Sequence, residues 1–191
     1  MIEFQPFTTS IFISEGLPVA DVCLSEIFKL QHESEGSKIS NAGGWQSCPY
    51  KYKDNPFFDG VVDLVLEHAN QAAYAYGFDS ALKLESYWLN INGKHDYNRL
   101  HNHLGVCLSA VLFLKAPENC GDLFFERPGI TPIVPGFDRL NALNWSNYSI
   151  TPTEGRLVVF PATMNHFVDR NESDELRVSA AFNFIVGKNE I

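Results

Sequence analysis

The chain has 191 residues, 45% hydrophobic and 19% charged, a balance typical of a folded globular protein and not of a disordered one. Its net charge of −9 argues against a nucleic-acid backbone as the main partner, because that kind of binding needs clustered Lys and Arg. The sequence shows neither a signal-peptide pattern nor an apolar run near the roughly 20 residues of a membrane span. We therefore expect a cytoplasmic protein with no membrane partner. None of its four cysteines has CxxC spacing, so we expect free thiols.

The first third of the chain is predicted to be mainly helical. An apolar stripe at helical spacing comprises Val19, Val22, Cys23, Ile27 and Leu30. Gly36 is the predicted stop after this helix, and residues 40–55 are predicted as a loop because Gly43, Gly44 and Pro49 interrupt any pattern.

A second helix is predicted from residue 55 onward. Asn55 is the predicted N-cap and Pro56 occupies the first turn, where its missing N–H has no cost. The face predicted to be buried carries Val61, Leu64, Val65 and His68.

From residue 82 the pattern favours strands. Five segments are rich in aromatic and β-branched residues and are bounded by Gly, Pro or Asn: 82–92, 103–116, 121–128, 155–163 and 175–186. Residues 128–154 are predicted as a long loop. We expect one domain over residues 1–191, with a helical layer over 1–80 and a β sandwich or barrel over 81–191.

The stretch "NRLHNHLG" (98–105) carries a possible metal motif. If it is a strand, His101 and His103 face the same side and can grip one ion, and imidazoles suit Fe, Zn, Cu or Ni better than Mg or Ca. The best third candidate is His166, just after the strand predicted over 155–163. The other histidines fall on predicted helices (His32, His68) or in a predicted turn (His95) and are expected to have no metal role.

The last predicted strand carries a second group of polar residues. Its alternation places on one face Arg177, Ser179, Ala181 and Asn183. A guanidinium that points into a β structure needs an anion, because an unpaired buried charge is costly. From the residues alone, the partner is either an internal acid such as Glu85 or Glu126, or a carboxylate on a small substrate, which the planar Arg fork suits.

Taken together, His101-x-His103, His166 and Arg177-x-Ser179 resemble the pattern of the Fe(II)/2-oxoglutarate-dependent oxygenase superfamily. The stretches "GDLFFE" and "TPTEGRLVVFPATMNHFV" are similar to the superfamily's strands around the distal histidine. The likeness covers about residues 84–186. The segments "SNAGGWQS" (40–47) and "WLNIN" (88–92) further resemble a subgroup of such oxygenases from bacteria and phages.

The resemblance implies a mainly β fold with N-terminal helices: a double-stranded β-helix, also called a jelly roll or cupin-like barrel. It implies a dioxygenase that uses Fe(II), 2-oxoglutarate and O₂, and that hydroxylates its substrate with release of succinate and CO₂. His101 and His166 are then metal ligands, and Arg177, assisted by Ser179, holds the distal carboxylate of 2-oxoglutarate. Strand parity places Asn90 on one face with Trp88 and Asn92, and Asn183 on the face of Arg177; Asn90 and Asn183 are further candidates for contacts to the cosubstrate or the substrate.

His103 is the departure from the superfamily pattern, because Asp or Glu usually stands at that position. Three outcomes are open: His103 is the third ligand, it swings away and water or an acid such as Asp96 or Glu126 completes the site, or the site holds another metal such as Zn or Ni without turnover. We place the first ahead.

Two other functions compete with the leading interpretation. One is a three-histidine, cupin-like dioxygenase that needs no 2-oxoglutarate, and the other is a non-catalytic protein that binds a metal or a small acid. The sequence does not specify the substrate, a small molecule or a peptide, and a homodimer is the default expectation for the assembly.

Overall fold

The computed structural model describes residues 8–18, 21–129, 139, 141 and 144–187. Within these ranges it has two α-helices, α1 (Asp21–Glu33) and α2 (Asp59–Ala75), and a short 3-10 helix over Pro56–Phe58. The strands are β1 (Phe12–Ser14), β2 (Asn41–Ala42), β3 (Trp45–Gln46), β4 (Leu82–Asn92), β5 (Tyr97–His101), β6 (Leu108–Lys115), β7 (Leu123–Glu126), β8 (Asn147–Ile150), β9 (Leu157–Pro161), β10 (His166–Val168) and β11 (Arg177–Val186).

The strands form two antiparallel sheets. The larger sheet has the order β1-β9-β6-β11-β4-β3, and the smaller one has the order β2-β5-β10-β7-β8. Apolar side chains of both sheets meet between them, among them Trp88, Phe113 and Ala181 from the larger sheet and Leu123 and Phe125 from the smaller. This is the predicted mainly β architecture with N-terminal helices.

Strand β11 separates two cores by its alternation. Val178, Ala180, Phe182 and Phe184 pack on the outer face of the larger sheet, in the cluster that also contains α2. Arg177, Ser179 and Ala181 take the other face, and Ala181 belongs to the cluster between the sheets. The parity prediction for this strand is therefore confirmed, and it aims the guanidinium into the barrel.

The helical layer stabilises the barrel through aromatic packing. The ring of Phe58, from the 3-10 helix, stacks on Tyr87 at 5.4 Å and on Phe182 at 6.4 Å between centroids. Val62 and Val65 of α2 are also buried in this cluster. Burying an aromatic or branched aliphatic side chain stabilises the fold by about 1.5–3 kcal/mol each.

The start of the second helix differs from the prediction. Asn55 precedes a 3-10 turn and makes no side-chain cap; α2 itself begins at Asp59. The Asn55 amide donates instead to the buried hydroxyl of Tyr87 at 2.8 Å, because Tyr87 would otherwise lack a partner there. A tertiary contact thus replaces the local cap that the sequence suggests.

Two segments predicted as loops contain strands. Residues 40–55 include β2 and β3, two residues each, which pair with β5 and β4 at the sheet edges. Residues 128–154 include β8, which pairs with β7; residues 130–138, 140, 142 and 143 of this predicted loop lie outside the described residues, as does Val19 of the first helical stripe. Strands this short are formed by backbone pairing and leave no periodic signal in the sequence.

Two further expectations bear on the chemistry of the chain. All four cysteines are free thiols, as predicted. In the part of the chain that the structure describes, neither helix is long and apolar enough to cross a membrane.

Candidate metal centre

Three histidines converge at one end of the space between the sheets. His101 ends β5, His166 begins β10, and the two are directly opposite each other across the antiparallel pair. His103 lies two residues beyond the end of β5, so its place does not come from strand alternation as predicted. Instead its backbone N–H donates to the carbonyl of Ala162 at 2.8 Å, and its ring packs 5.4 Å from the ring of Trp88.

The three rings are close enough to share one ion. Their centroids are 4.3 Å apart for His101–His166, 5.0 Å for His101–His103 and 5.1 Å for His103–His166. The nitrogen atoms available for coordination lie within 4.8 Å of one another.

Backbone carbonyls orient two of the three imidazoles. Nδ1 of His101 lies 2.6 Å from the carbonyl oxygen of Arg99, and Nδ1 of His166 lies 2.9 Å from that of Met164. Since a carbonyl only accepts, Nδ1 carries the proton in both rings and Nε2 keeps its lone pair. This arrangement is typical of metal-binding histidines, whose outer hydrogen bond fixes the tautomer.

Burial keeps the cluster unprotonated. Desolvation, with the neighbouring histidines adding to it, lowers the pKa of His166 to about 3 and that of His103 to about 4. The pKa of His101 is also lowered by burial, against the opposing effect of its bond to Arg99. Neutral imidazole is the form that binds a metal, so the site is prepared for a cation.

Within the described residues, no carboxylate joins the cluster. Asp96 accepts from the backbone N–H of Gly93 at 2.8 Å, and Glu126 accepts from the side-chain amide of Asn165 at 3.0 Å. Both acids considered as substitutes for His103 are thus engaged elsewhere. Three neutral nitrogen donors fit Fe(II), and they also fit Zn or Ni.

A chain of side-chain hydrogen bonds connects the two segments that carry the histidines. The Asn102 amide donates to Oδ1 of Asn165 at 2.8 Å, and the Asn165 amide donates in turn to Glu126. Asn102 stands between His101 and His103, and Asn165 directly precedes His166. These hydrogen bonds therefore connect the segment of His101 and His103 to the segment of His166, independently of any metal.

Arg177 is buried, and none of the described residues forms an ion pair with it. Its side chain is 1% exposed, and its Nη1 donates to backbone carbonyls, those of Cys120, Gly121 (3.4 Å) and Asp169 (3.1 Å). Its Nη2 is buried and has no hydrogen-bond partner. Burial lowers the pKa of the guanidinium to about 10, so desolvation outweighs the nearby acids. Glu85, one internal partner considered above, pairs with Lys51 at 2.8 Å instead, and Glu126 is taken by Asn165.

Further unpaired polar atoms lie beside Arg177 on the inner face of the larger sheet. Asn92 is the cross-strand partner of Arg177, and Asn90 is that of Ser179 and of Gln46. Four buried atoms have no hydrogen-bond partner in the part of the chain that the structure describes: Oδ1 of Asn90, both amide atoms of Asn92, and Oε1 of Gln46. Such atoms are costly unless a ligand or water satisfies them, so this cluster fits a polar ligand.

The sequence did not lead us to two members of this polar cluster, Asn92 and Gln46. Asn92 shares its strand face with Trp88 and Asn90, and that parity is a signal that could have identified it. Gln46 lies in a segment predicted as a loop, where no pattern indicates which side it faces.

A cavity of about 380 Å³ opens beside the histidines. Its lining includes His101, His103, Trp88 and Asn183. Asn183 accepts from the hydroxyl of Ser109 at 2.8 Å, so it is already paired. It lies on the cavity wall, six residues along β11 from Arg177, while Arg177 itself does not line this cavity.

Solved structures with a similar fold include a member of the 2OG-Fe(II) oxygenase family and two prolyl hydroxylases. An oxidoreductase of the 2OG-Fe(II) oxygenase family from Burkholderia pseudomallei has 13% identity and a TM-score of 0.64, covering 94% of this chain and 87% of its own. A prolyl-4-hydroxylase from Pseudomonas putida has 14% identity and a TM-score of 0.64, covering 95% of each chain. A viral collagen prolyl hydroxylase from Paramecium Bursaria Chlorella virus-1, solved with 2OG, has 14% identity and a TM-score of 0.61, covering 91% of this chain and 94% of its own.

At these identities the likeness shows the fold alone, the double-stranded β-helix that was predicted. No curated protein matches the sequence. The family model described as "Putative 2OG-Fe(II) oxygenase" matches residues 86–183, just over half of the chain, and this span contains the candidate metal ligands and the candidate cosubstrate residues named in the sequence analysis. The family depends on Fe(II) and 2-oxoglutarate. The chain belongs to this family of 2OG-Fe(II) oxygenases.

Proposed function

We propose that the protein is an Fe(II)- and 2-oxoglutarate-dependent dioxygenase that hydroxylates its substrate. One C–H bond, O₂ and 2-oxoglutarate would yield one C–OH group, succinate and CO₂. The observation that carries the proposal is the pairing of a three-imidazole cluster with a buried guanidinium whose Nη2 has no partner, both on the inner side of the same barrel.

His101, His103 and His166 would hold the iron. When bound, Fe(II) supplies the activation of O₂ and positions for the keto and carboxylate oxygens of the cosubstrate. The protein's part is to orient the rings, through the carbonyls of Arg99 and Met164, and to keep them neutral by burial. His103 as third ligand is supported by its place in the cluster and by the engagement of Asp96 and Glu126 elsewhere.

Arg177 would bind the distal carboxylate of 2-oxoglutarate through Nη2, while the carbonyls around Nη1 hold its fork in place. Ser179 and Asn90 lie in the next cross-strand row and would complete the contacts to the cosubstrate. We add Asn92 and Gln46, because their unpaired amide atoms line the same face. Asn183 fits a contact to the substrate better than one to the cosubstrate, since it lines the cavity beside His101 and His103.

We keep the division into a helical layer over 1–80 and a barrel over 81–191 within one domain as part of this proposal. The packing of α2 against β4, β6 and β9 supports it. Strands β1, β2 and β3 modify it, because the first 80 residues also supply both edge strands of the larger sheet and one edge strand of the smaller sheet.

Anaerobic addition of Fe(II) and then 2-oxoglutarate tests the proposal. A visible metal-to-ligand charge-transfer band requires both to bind at one site, and admission of O₂ should then release succinate. His166→Ala should abolish the band by removing the metal. His68→Ala is the matched control, because His68 lies outside the cluster and is bonded to Ser14.

The competing functions give different results in the same experiment. A three-histidine dioxygenase without 2-oxoglutarate would bind iron and consume O₂ with a substrate, but would show no band and form no succinate. A non-catalytic metal or acid binder would form no succinate under any condition. The unpaired Nη2 of Arg177 favours the first proposal over a dioxygenase without 2-oxoglutarate, because that alternative needs no buried carboxylate clamp. Release of succinate distinguishes the first proposal from a non-catalytic acid binder, which would use the same clamp.

A further inference from the structure

The cavity beside the histidines has an unusual charge for this chain. Acidic residues outnumber Lys and Arg by 23 to 14, yet among the residues that the structure describes the cavity is lined by Arg99 and by no carboxylate. A bound metal dication would make it more positive still. A pocket with this field concentrates anions.

Arg99 is held beside the metal cluster but its charge is unpaired. Its backbone N–H donates to Ser40 at 2.8 Å and its carbonyl accepts from His101. Other surface cations have acidic partners, such as Arg156 with Glu15 at 2.8 Å. Among the described residues, no ion pair or side-chain hydrogen bond engages the Arg99 guanidinium, which is therefore available to a ligand.

The same cavity has an apolar rim. Ile39 and Leu100 line it and are 65% and 50% exposed, and Trp88 forms part of its wall. Exposed aliphatic side chains grouped at one cavity mouth indicate a surface that binds an apolar group, whereas isolated ones do not.

We propose that the primary substrate is an amphipathic anion, and this rests on the proposed function. Its carboxylate or phosphate pairs with Arg99, and its apolar body packs against Ile39, Leu100 and Trp88, next to the three histidines. The cosubstrate carboxylate has a separate partner, since Arg177 is buried and does not line this cavity. Arg177 would thus bind the cosubstrate carboxylate, and Arg99 would bind the anionic group of the substrate.

The test uses three probes that have an eight-carbon chain and differ in charge: octanoate is negative, octanamide is neutral and octylamine is positive. Each is titrated anaerobically into the protein loaded with Fe(II) and 2-oxoglutarate, and binding is followed by the shift of the charge-transfer band. Octanoate should bind about ten-fold more tightly than octanamide, because a charge-assisted hydrogen bond adds about that much, and octylamine should bind most weakly. Hexanoate should bind more weakly than octanoate, by about four-fold for each methylene that is no longer buried.

Variants assign the effect to residues. Arg99→Gln should bring octanoate to the affinity of octanamide, and Leu100→Ser should weaken both. Arg170→Gln is the matched control, because this arginine packs over the ring of Tyr97 at 5.6 Å and does not line the cavity.

The outcomes separate this inference from the proposed function. If Fe(II) and 2-oxoglutarate give no charge-transfer band in the absence of any probe, the proposed function itself is wrong. A normal band with equal binding of octanoate and octanamide, or with no binding of any carboxylate, would overturn the amphipathic-anion proposal only. So would weakening of 2-oxoglutarate binding by Arg99→Gln with the probes unaffected, or displacement of 2-oxoglutarate by octanoate, since either places the acid in the cosubstrate site.

Discussion

Replacement of Arg177 by Met should separate cosubstrate binding from stability. Arg177→Met removes the guanidinium but keeps a flexible apolar side chain in its place. Loss of a buried, charge-assisted contact to a carboxylate costs about 3 kcal/mol, or about 150-fold in the dissociation constant of 2-oxoglutarate. The metal cluster does not include Arg177, so Fe(II) binding without cosubstrate should stay within about three-fold of the parent.

The expected effect on folding is small, because two contributions oppose each other. Lowering the guanidinium pKa from 12.5 to about 10 means that burial of the charge destabilises the fold by about 3 kcal/mol. This penalty is present in full at neutral pH, where the group is charged in both states, and declines only as the pH rises above about 10. Its removal offsets the loss of the Nη1 hydrogen bonds, which costs about 1–3 kcal/mol. The free energy of unfolding should therefore change by less than about 2 kcal/mol.

Urea unfolding with and without 2-oxoglutarate, together with the charge-transfer titration, measures both quantities. Arg170→Met is the control for loss of a positive charge. An unchanged 2-oxoglutarate affinity in Arg177→Met would refute the carboxylate clamp. A loss of more than about 4 kcal/mol in the ligand-free protein would show instead that Arg177 belongs to a buried ion pair, since breaking such a pair typically costs 3–5 kcal/mol.

Three more predictions follow from the geometry. His103→Ala should weaken Fe(II) binding by at least about 100-fold, as measured by competition with a chelator, and His103→Asp should restore the affinity. Wild-type affinity in the Ala variant would mean that His103 is not a ligand. Asn165→Ala should weaken Fe(II) binding by about ten-fold without changing the spectrum of the loaded site, because it removes the link between the two histidine segments; no change would make this hydrogen-bond chain incidental. Phe182→Ala should lower the free energy of unfolding in urea by about 3–5 kcal/mol and leave the iron affinity of the folded protein unchanged, because Phe182 packs on the helical side of the sheet; a loss of iron affinity in the folded variant would contradict this separation.

Strands β4 and β11 were predictable from the sequence because each has one largely apolar face and one face that carries polar side chains. Strand β4 has the predicted bounds. Val178, Ala180, Phe182 and Phe184 of β11 lie in the outer core, and Arg177 is on the same face as Ala181, which packs between the sheets. Burial on one face fixes the register of a strand, since a shift of one residue would exchange every side chain. The orientation of Arg177 follows from the same rule.

The local structure around His103 was not predictable in the same way. The sequence indicated that His101 and His103 share a face of one strand, and the two rings do meet, but for a different reason. Strand β5 ends at His101, and the contacts of His103 with Ala162 and Trp88 come from segments distant in the chain. Contacts of this kind leave no periodic pattern, and the same holds for Gln46, which reaches the inner face through a strand of only two residues.

The substitution of an imidazole for the usual carboxylate has an energetic consequence that connects the two binding sites. If His101, His103 and His166 hold the metal as proposed, three neutral ligands would leave its two positive charges uncompensated in a buried site, which is unfavourable. The 2-oxoglutarate dianion would neutralise them, and its other end would satisfy the buried charge of Arg177. The positive charge of the metal and the negative charge of the cosubstrate thus compensate each other in the buried site. Bound iron should therefore increase the affinity for 2-oxoglutarate, and bound 2-oxoglutarate should increase the affinity for iron by the same factor. His103→Asp supplies the missing negative charge within the metal site, and it should therefore tighten iron binding most in the absence of 2-oxoglutarate and reduce the coupling between the two.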